Sequence, residues 1–395
     1  MRNPPPVIFA APHRLPFLTG ALGLTAIAAW WAIQMCGVSI QTGDLPLRLL
    51  HAPAMLLIAY PAFIFGFLLT VFPRWMGQAD LTARQFGPIA SGLALGTGSV
   101  AVGLWTGEAV PFLAGFTIFG AAWALALFPL AATIRRSGQA GKPPCWHAVS
   151  ALAALILGLL ALVLVILFIR TMDPRLLRLA NILALDGFIL PVFLTVAHRM
   201  VPFFAGNVVK GYRRWRPDWL LVALWVLLLN RIAGEALPLP PLAAASNAGL
   251  AAITALMAFK WWPRAAAPGL LNVLIWGFAW APVGFGVALL AQAAYPLGLA
   301  PTHALALGFA GSVMVGMITR VTNGHSGRPL AMTPLAWLAF STIQLATVLR
   351  IAAAMQGDPL ILLATTAVIF ISGLLAWLLQ NALIYLRPRM DGRDG

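Results

Sequence analysis

Residues 151–169 read ALAALILGLLALVLVILFI, an apolar run uninterrupted by any charged or polar side chain. A run of about 20 such residues spans the hydrocarbon core of a bilayer as a helix. A membrane strand would instead alternate apolar and polar residues over about ten positions. The whole chain of 395 residues is 61% hydrophobic and only 9% charged, with a mean hydropathy of +0.90. The sequence therefore predicts an all-α, polytopic integral membrane protein and excludes a water-soluble domain of this size.

Further apolar runs, broken by proline, glycine or charge, predict about twelve transmembrane helices. They leave only short loops, so we predict a single transmembrane domain over residues 1–395. The predicted spans lie near residues 16–36, 51–73, 86–106, 110–134, 147–170, 176–205, 217–236, 240–260, 269–293, 301–323, 332–354 and 359–386.

The basic residues indicate the orientation in the membrane. When the 25 lysines and arginines are placed on alternating sides of the twelve spans, 19 fall on the side that holds both termini and six on the other. The positive-inside rule then places both termini in the cytoplasm, in the inner membrane if the source is bacterial. The net charge of +15 is thereby explained without nucleic acid. The cluster Lys210–Arg216 could also attract anionic lipid headgroups, although orientation is the simpler interpretation.

Four histidines fall into two groups by depth. His51 and His303 begin the second and tenth spans at the predicted outer side, whereas His198 and His325 lie at the inner ends of the sixth and tenth. Imidazoles at matched depth on separate helices are typical of haem or metal ligands. They are also typical of interfacial or interhelical hydrogen bonding. The sequence leaves both interpretations open.

Arginines accompany the inner histidines. Arg199 follows His198 directly, and Arg320 comes five residues before His325. Either arginine would contact an anion or a haem propionate, or would extend its charged end to the cytoplasmic interface. His13 and His147 lie at the starts of spans, and we interpret them as interfacial side chains.

Asp186 lies in the middle of the sixth span. A carboxylate at that depth should be protonated, paired with a basic group, or part of a proton or ion pathway. Because of this depth, it is the strongest single functional candidate that needs no knowledge of related proteins.

The two cysteines limit the cofactor chemistry. Cys36 and Cys145 lie on opposite predicted sides, so they cannot form a disulfide within one chain. Two cysteines also exclude a cysteine-ligated iron–sulfur cluster, and the chain has no C-x-x-C-H motif for covalent haem. Any haem must therefore be held by histidine or methionine without covalent attachment, and we expect a b-type haem.

A weak internal repeat links spans two, six and ten. Thr70, Thr195 and Thr319 lie at their inner ends, and similar residues surround the first two threonines. Three units of four spans would make these spans equivalent inner helices.

Several long motifs carry a family resemblance. Thr302–Leu330, THALALGFAGSVMVGMITRVTNGHSGRPL, resembles the signature of the NnrS family of bacterial membrane proteins. Agreement extends to HRLPFL at His13–Leu18, GFLLTVFPRWMG at Gly66–Gly77, AHRMVPFF at Ala197–Phe204 and YLRPRMDGRDG at Tyr385–Gly395. The resemblance covers essentially the whole chain.

The resemblance implies a twelve-helix inner-membrane protein that binds haem, is associated with copper, and acts in the nitric oxide response of denitrifying cells. The arrangement of three times four helices is also similar to the core subunit of haem–copper oxidases. One departure is clear. Family members read W-H-A-H-E-M at the start of the second span, where this chain has Pro53 and Ala54 after His51. Pro53 removes one ligand that a copper centre would use.

We therefore expect His51 and His303 to bind haem iron, with His198 and His325 at a second metal or haem site. Arg199, Arg320 and Arg328 would lie near propionates or an anion. Nitric oxide is the expected small ligand, and a respiratory protein the expected electron donor. Two rival hypotheses remain: a transporter that uses Asp186, and an assembly factor for a respiratory complex. The sequence does not decide whether the protein is an enzyme.

Overall fold

The computed structural model describes residues 6–38, 43, 45–293, 295, 297–356 and 359–392, and within these ranges the chain forms helices and no strand. The prediction of an all-α protein is therefore confirmed. Arg2 and Arg393, which contribute to the predicted orientation, lie outside the described residues. So do the last three residues of the C-terminal motif.

Twelve of the described helices are long and apolar enough to cross a membrane, and each overlaps one predicted span. A short 3₁₀ helix, Val7–Phe9, precedes these twelve helices. In chain order they are α1 Arg14–Met35, α2 Leu47–Trp75, α3 Ala83–Thr106, α4 Ala109–Gln139, α5 Trp146–Thr171, α6 Pro174–Val208, α7 Trp219–Ala236, α8 Pro240–Trp261, α9 Gly269–Gln292, α10 Ala300–His325, α11 Pro334–Ala353 and α12 Leu360–Leu386.

Local sequence sets several helix ends. Asp173 accepts a hydrogen bond from the backbone N–H of Arg175 at the start of α6, and Thr333 does the same for Ala336 at the start of α11. These side chains satisfy backbone donors that have no partner within the helix. Helix α9 is interrupted at Ala279. Pro282 explains the break, because its ring conflicts with the carbonyl of the preceding turn.

Helices α2, α6 and α10 share a feature found in no other described helix. Each contains a π-helical segment, at Met55–Ala59, Leu183–Ile189 and Ala304–Gly311. Pro61 and Pro191 follow the first two segments, and each lacks the N–H that would bond to a carbonyl within the segment. Such segments are rare and are frequent at functional sites.

The same three helices are the most enclosed by protein. The buried shares of their apolar windows are 89%, 83% and 78%, against 61% or less for every other span. Thr70, Thr195 and Thr319, which define the repeat in the sequence, are all buried. The shared π-helical segment and the shared burial support the predicted equivalence of these three helices.

The chain divides into two compact units. The first contains Met1–Ala184, Val321–Pro329 and Leu374–Gly395, and the second contains Leu185–Arg320 and Leu330–Gly373. In the first unit α1 packs against α2 and α3, α3 against α4, and α4 against α5. In the second unit α7 packs against α8, α8 against α9, and α9 and α11 against α10. The single transmembrane domain over 1–395 stays a prediction.

Candidate functional site

His303 lies in the second unit, in the first turn of α10 and directly before its π-helical segment. Its Nδ1 atom is 2.9 Å from the carbonyl oxygen of Leu299. A carbonyl only accepts, so Nδ1 carries the proton and donates. The other ring nitrogen, Nε2, then carries the lone pair. This is the arrangement by which proteins orient a histidine that ligates a metal.

His51 lies in the first unit, four residues before the π-helical segment of α2. Its ring stacks on that of Trp31, with the ring centroids 4.1 Å apart and the planes 18° from parallel. The stack fixes the plane of the imidazole. Both outer histidines thus have a defined orientation, each within its own unit.

The inner histidines have unlike surroundings. His198 is fully buried in the second unit, with its ring centroid 6.3 Å from that of Trp261. His325 belongs to the first unit. Their predicted partnership stays a prediction.

The three candidate arginines are placed as follows. Arg320 lies over the ring of Phe204 at 3.7 Å, a cation–π contact. Arg199 is half-buried beside His198 on α6. Arg328 follows α10 in the first unit, and its Nη1 atom is buried without a hydrogen-bond partner among the described residues.

His325 has two close partners in the first unit. Its ring centroid is 4.6 Å from that of His13, and its Nε2 atom is 3.3 Å from Nη1 of Arg74. Arg74 also donates to both carboxylate oxygens of Asp80, at 3.1 and 2.9 Å. Hydrogen bonding with Arg74 lowers the pKa of Asp80 below its usual range.

His13 is the residue that sequence reasoning missed. It is only 3% exposed, so it is a buried side chain within the first unit. Burial lowers its pKa well below the ordinary value, and nearby His325, Arg14 and Arg74 lower it further. The imidazole is therefore neutral at pH 7. The signal available in the sequence was the His13-Arg14 pair, which matches His198-Arg199.

Asp186 is paired with a basic group, one of the three arrangements that the sequence allowed. Its Oδ1 atom accepts a hydrogen bond of 3.0 Å from Nε of Arg231. Arg231 also donates to Asn247, whose Nδ2 donates to Gln292 at 3.1 Å, and Gln292 donates to Glu235 at 3.5 Å. This polar network joins α6, α7, α8 and α9 within the second unit.

A metal site built only from protein ligands has no support in the described ranges. They contain no group of three or more histidine, cysteine, aspartate or glutamate side chains that could hold a metal ion. Cys36 is exposed, Cys145 is half-buried, and both are free thiols. An iron held in a porphyrin needs fewer protein ligands, because one or two imidazoles complete its coordination.

A family model described as "NnrS protein" matches residues 7–389, nearly the whole chain. A search of curated proteins finds no match.

Proposed function

The chain belongs to the NnrS family, and from this premise we propose that it is a haem-binding membrane protein of the nitric oxide response. The proposed haem is b-type, and His51 and His303 are its proposed iron ligands. Nitric oxide is the proposed small ligand, and a respiratory protein the proposed electron donor.

The observation that carries this proposal is the hydrogen bond from Nδ1 of His303 to the carbonyl oxygen of Leu299. It fixes the tautomer, so that Nε2 is the nitrogen available to iron. Because Leu299 accepts through its backbone, this contact does not depend on a second side chain. His303 is half-buried, which leaves its free edge accessible to a planar cofactor.

Trp31 supports the role of His51. An imidazole stacked on an indole at 4.1 Å keeps one ring plane, so its nitrogen lone pair is confined to that plane. Haem held by these histidines would supply either nitric oxide capture or electron transfer. The protein residues bind and orient the cofactor in either case.

A second metal site at His198 and His325, with copper as one candidate, is the weaker part of the proposal. Pro53 replaces a family histidine, and no third ligand lies near either histidine among the described residues. Three arginines are proposed as contacts for propionates or another anion, namely Arg199, Arg320 and Arg328.

The experiment is an absorption spectrum of the detergent-purified protein, oxidised, reduced, and reduced with nitric oxide, together with iron and copper quantitation. We expect a Soret band that His303→Ala removes. His147→Ala is the control, because His147 is a buried histidine at the start of a helix and is not a proposed ligand. An unchanged spectrum in His303→Ala would refute the assignment. A band that shifts with nitric oxide indicates an open axial position.

Transport is the second candidate, favoured by the polar network of Asp186. Four spanning helices contribute polar side chains to it, and polar groups inside a bilayer commonly mark ion or substrate pathways. Transport predicts no chromophore and a transport defect in Asp186→Asn. The third hypothesis, assembly of a respiratory complex, predicts co-purification with that complex.

The inner membrane, with both termini in the cytoplasm, is the proposed location. The two cysteines offer a test, since Cys36 lies after α1 and Cys145 before α5, on opposite predicted sides. A membrane-impermeant maleimide should label Cys36 in spheroplasts, whereas Cys145 should react only after the membrane is permeabilised. The reverse pattern would invert the topology.

A further inference from the structure

We propose that the second unit binds one anionic glycerophospholipid, through its phosphate group, at the loop that joins α6 to α7. This loop, residues 209–218, and residues 260–264 at the end of α8 form what we call the basic surface. Both segments connect spanning helices, so they lie at the level of the lipid headgroups. The proposal does not depend on haem.

The basic surface carries charge of one sign. Asp218 is the only carboxylate in its two segments, against six lysines and arginines, which leaves an excess of five positive charges. All six side chains are exposed, namely Lys210, Arg213, Arg214, Arg216, Lys260 and Arg264. Such a cluster beside a membrane attracts lipids that carry a net negative charge.

Hydrogen bonds between the two segments place these charges on one surface. Nε1 of Trp261, the last residue of α8, donates to the carbonyl oxygen of Trp215 at 2.9 Å. The hydroxyl of Tyr212 donates to the carbonyl oxygen of Trp261 at 3.3 Å. Nζ of Lys260 consequently lies only 6.0 Å from the centre of the Trp215 ring, between Arg214 and Arg216 in the chain.

Arg214 is held in place by neutral groups. Its Cζ atom is 5.4 Å from the centre of the Phe203 ring, and its Nη2 atom donates to Oδ1 of Asn207 at 2.6 Å. Gly206 permits this position, because a Cβ there would lie 2.9 Å from Cγ of Arg214. A guanidinium has five N–H donors, so Arg214 keeps its charge and further donors for a phosphate oxygen.

Exposed aromatic rings favour a lipid over a free phosphate ion. Phe203 on α6, Phe259 on α8, and Trp262 directly after α8 are large apolar side chains that remain exposed. Aromatic side chains near helix ends are typical of the boundary between acyl chains and headgroups. A phospholipid supplies both an apolar chain for the rings and an anion for the cations, whereas a free ion supplies only the anion.

The same basic residues also help to orient the chain, so the test needs a control of equal charge. Arg135 and Arg136 are adjacent exposed arginines near the end of α4, in the first unit and on the same predicted side of the membrane. A general attraction between basic residues and anionic lipid acts on both groups alike. A binding surface built by the contacts of Trp261 acts only in the second unit.

The probe is dioleoylphosphatidylglycerol, and dioleoylphosphatidylcholine, with the same acyl chains and no net charge, is the comparison. Full-length protein in detergent is titrated with each lipid, and native mass spectrometry counts the lipid molecules that each chain retains. We expect the first molecule of the anionic lipid to bind about tenfold more tightly than the zwitterionic lipid, because several cations act on one phosphate.

Arg213→Gln and Lys260→Gln should each weaken binding of the anionic lipid by about fivefold, and together by about tenfold or more. Arg135→Gln with Arg136→Gln removes the same charge and should leave the binding unchanged. Trp261→Phe keeps every charge but removes the hydrogen bond to Trp215, so it should also weaken the binding. Attraction by charge alone would not respond to that change.

Equal losses in the two double variants, or no loss in Arg213→Gln with Lys260→Gln, would overturn the proposal. Displacement of the lipid by inorganic phosphate at the same concentration would also overturn it, because the surface would then recognise a free anion. Arg213 and Lys260 are exposed, so their replacement leaves the core of the unit intact and decides the matter even if Trp261→Phe fails to fold.

Discussion

Nε of Arg231 donates a hydrogen bond of 3.0 Å to Oδ1 of Asp186, and both side chains are buried inside spanning helices. The pair joins α7 to the π-helical segment of α6. Asn247 accepts from the same guanidinium, so the arginine is held on two sides. Removal of either partner would leave the other charge buried without an opposite charge.

Asp186→Asn should therefore destabilise the protein by about 3–5 kcal/mol, the usual cost of leaving one member of a buried ion pair. The double variant Asp186→Asn with Arg231→Gln should recover most of that loss, since it leaves no buried charge. Thermal unfolding in detergent measures both.

The matched control is Asp80→Asn, which breaks an ion pair whose side chains are 49% and 53% exposed. It should cost less than about 1 kcal/mol. Equal losses in Asp186→Asn and Asp80→Asn would show that the buried pair contributes no more than an exposed one. A transport assay that compares single and double variants separates a lost carboxylate from a destabilised fold.

The number and order of the helices could be predicted because a bilayer imposes a simple rule on sequence. Each spanning helix needs about 20 apolar residues, and runs such as 151–169 satisfy it without help from distant parts of the chain. The π-helical segments were not predicted from the sequence. Pro61 and Pro191 signal a disturbed helix, but a proline can also produce a kink, and the choice depends on packing.

The surroundings of the candidate residues were harder to predict from the sequence, because they depend on contacts between residues that are far apart in the chain. His13 precedes the first apolar run and so was interpreted as interfacial. Its burial depends on His325, more than three hundred residues away in the chain. Arg231 was counted only as an orientation signal, although an arginine inside an apolar span also indicated a partner. Depth alone suggested Asp186, and only the structure identified its partner.

Trp31→Leu should alter the electronic environment of the proposed haem without removing it. The change deletes the ring on which His51 stacks, so the imidazole plane is no longer fixed. We expect similar haem content, with changed g-values in the electron paramagnetic resonance spectrum and a shifted midpoint potential. Trp105→Leu is the control, since Trp105 is a half-buried tryptophan of the same unit that bonds to the carbonyl oxygen of Ala26. Identical spectra in both variants would refute a role for the stack.

Stability should fall as the pH drops below about 6.5, and His13 should contribute to the fall. Its pKa is well below 6.5 in the folded chain, chiefly through burial, and near that value in the unfolded chain. The unfolded state therefore binds the proton first, so acid favours unfolding. One such group gives a slope of up to about 1.4 kcal/mol per pH unit. Unfolding midpoints from pH 8 to pH 5 measure it.

His13→Leu should flatten this dependence. Arg14 and Arg74 face the imidazole and keep their charges in the variant, so the change removes one titrating group and leaves its charged neighbours. The same slope in wild type and His13→Leu would mean that other groups dominate the acid response.

Gly103 and Gly98 of α3 should respond oppositely to alanine. A Cβ at Gly103 would lie 2.6 Å from the backbone nitrogen of Phe112 on α4, so the two helices would have to separate. Overpacking of this kind costs about 1–3 kcal/mol. Gly98 is exposed on the same helix with nothing within 4 Å of its Cβ position, and Gly98→Ala should stabilise the helix by up to about 1 kcal/mol. Thermal unfolding of the two variants checks the sign of each change. A stabilising Gly103→Ala would show that α3 and α4 separate without loss, and the close approach of these helices would then be no constraint on the fold.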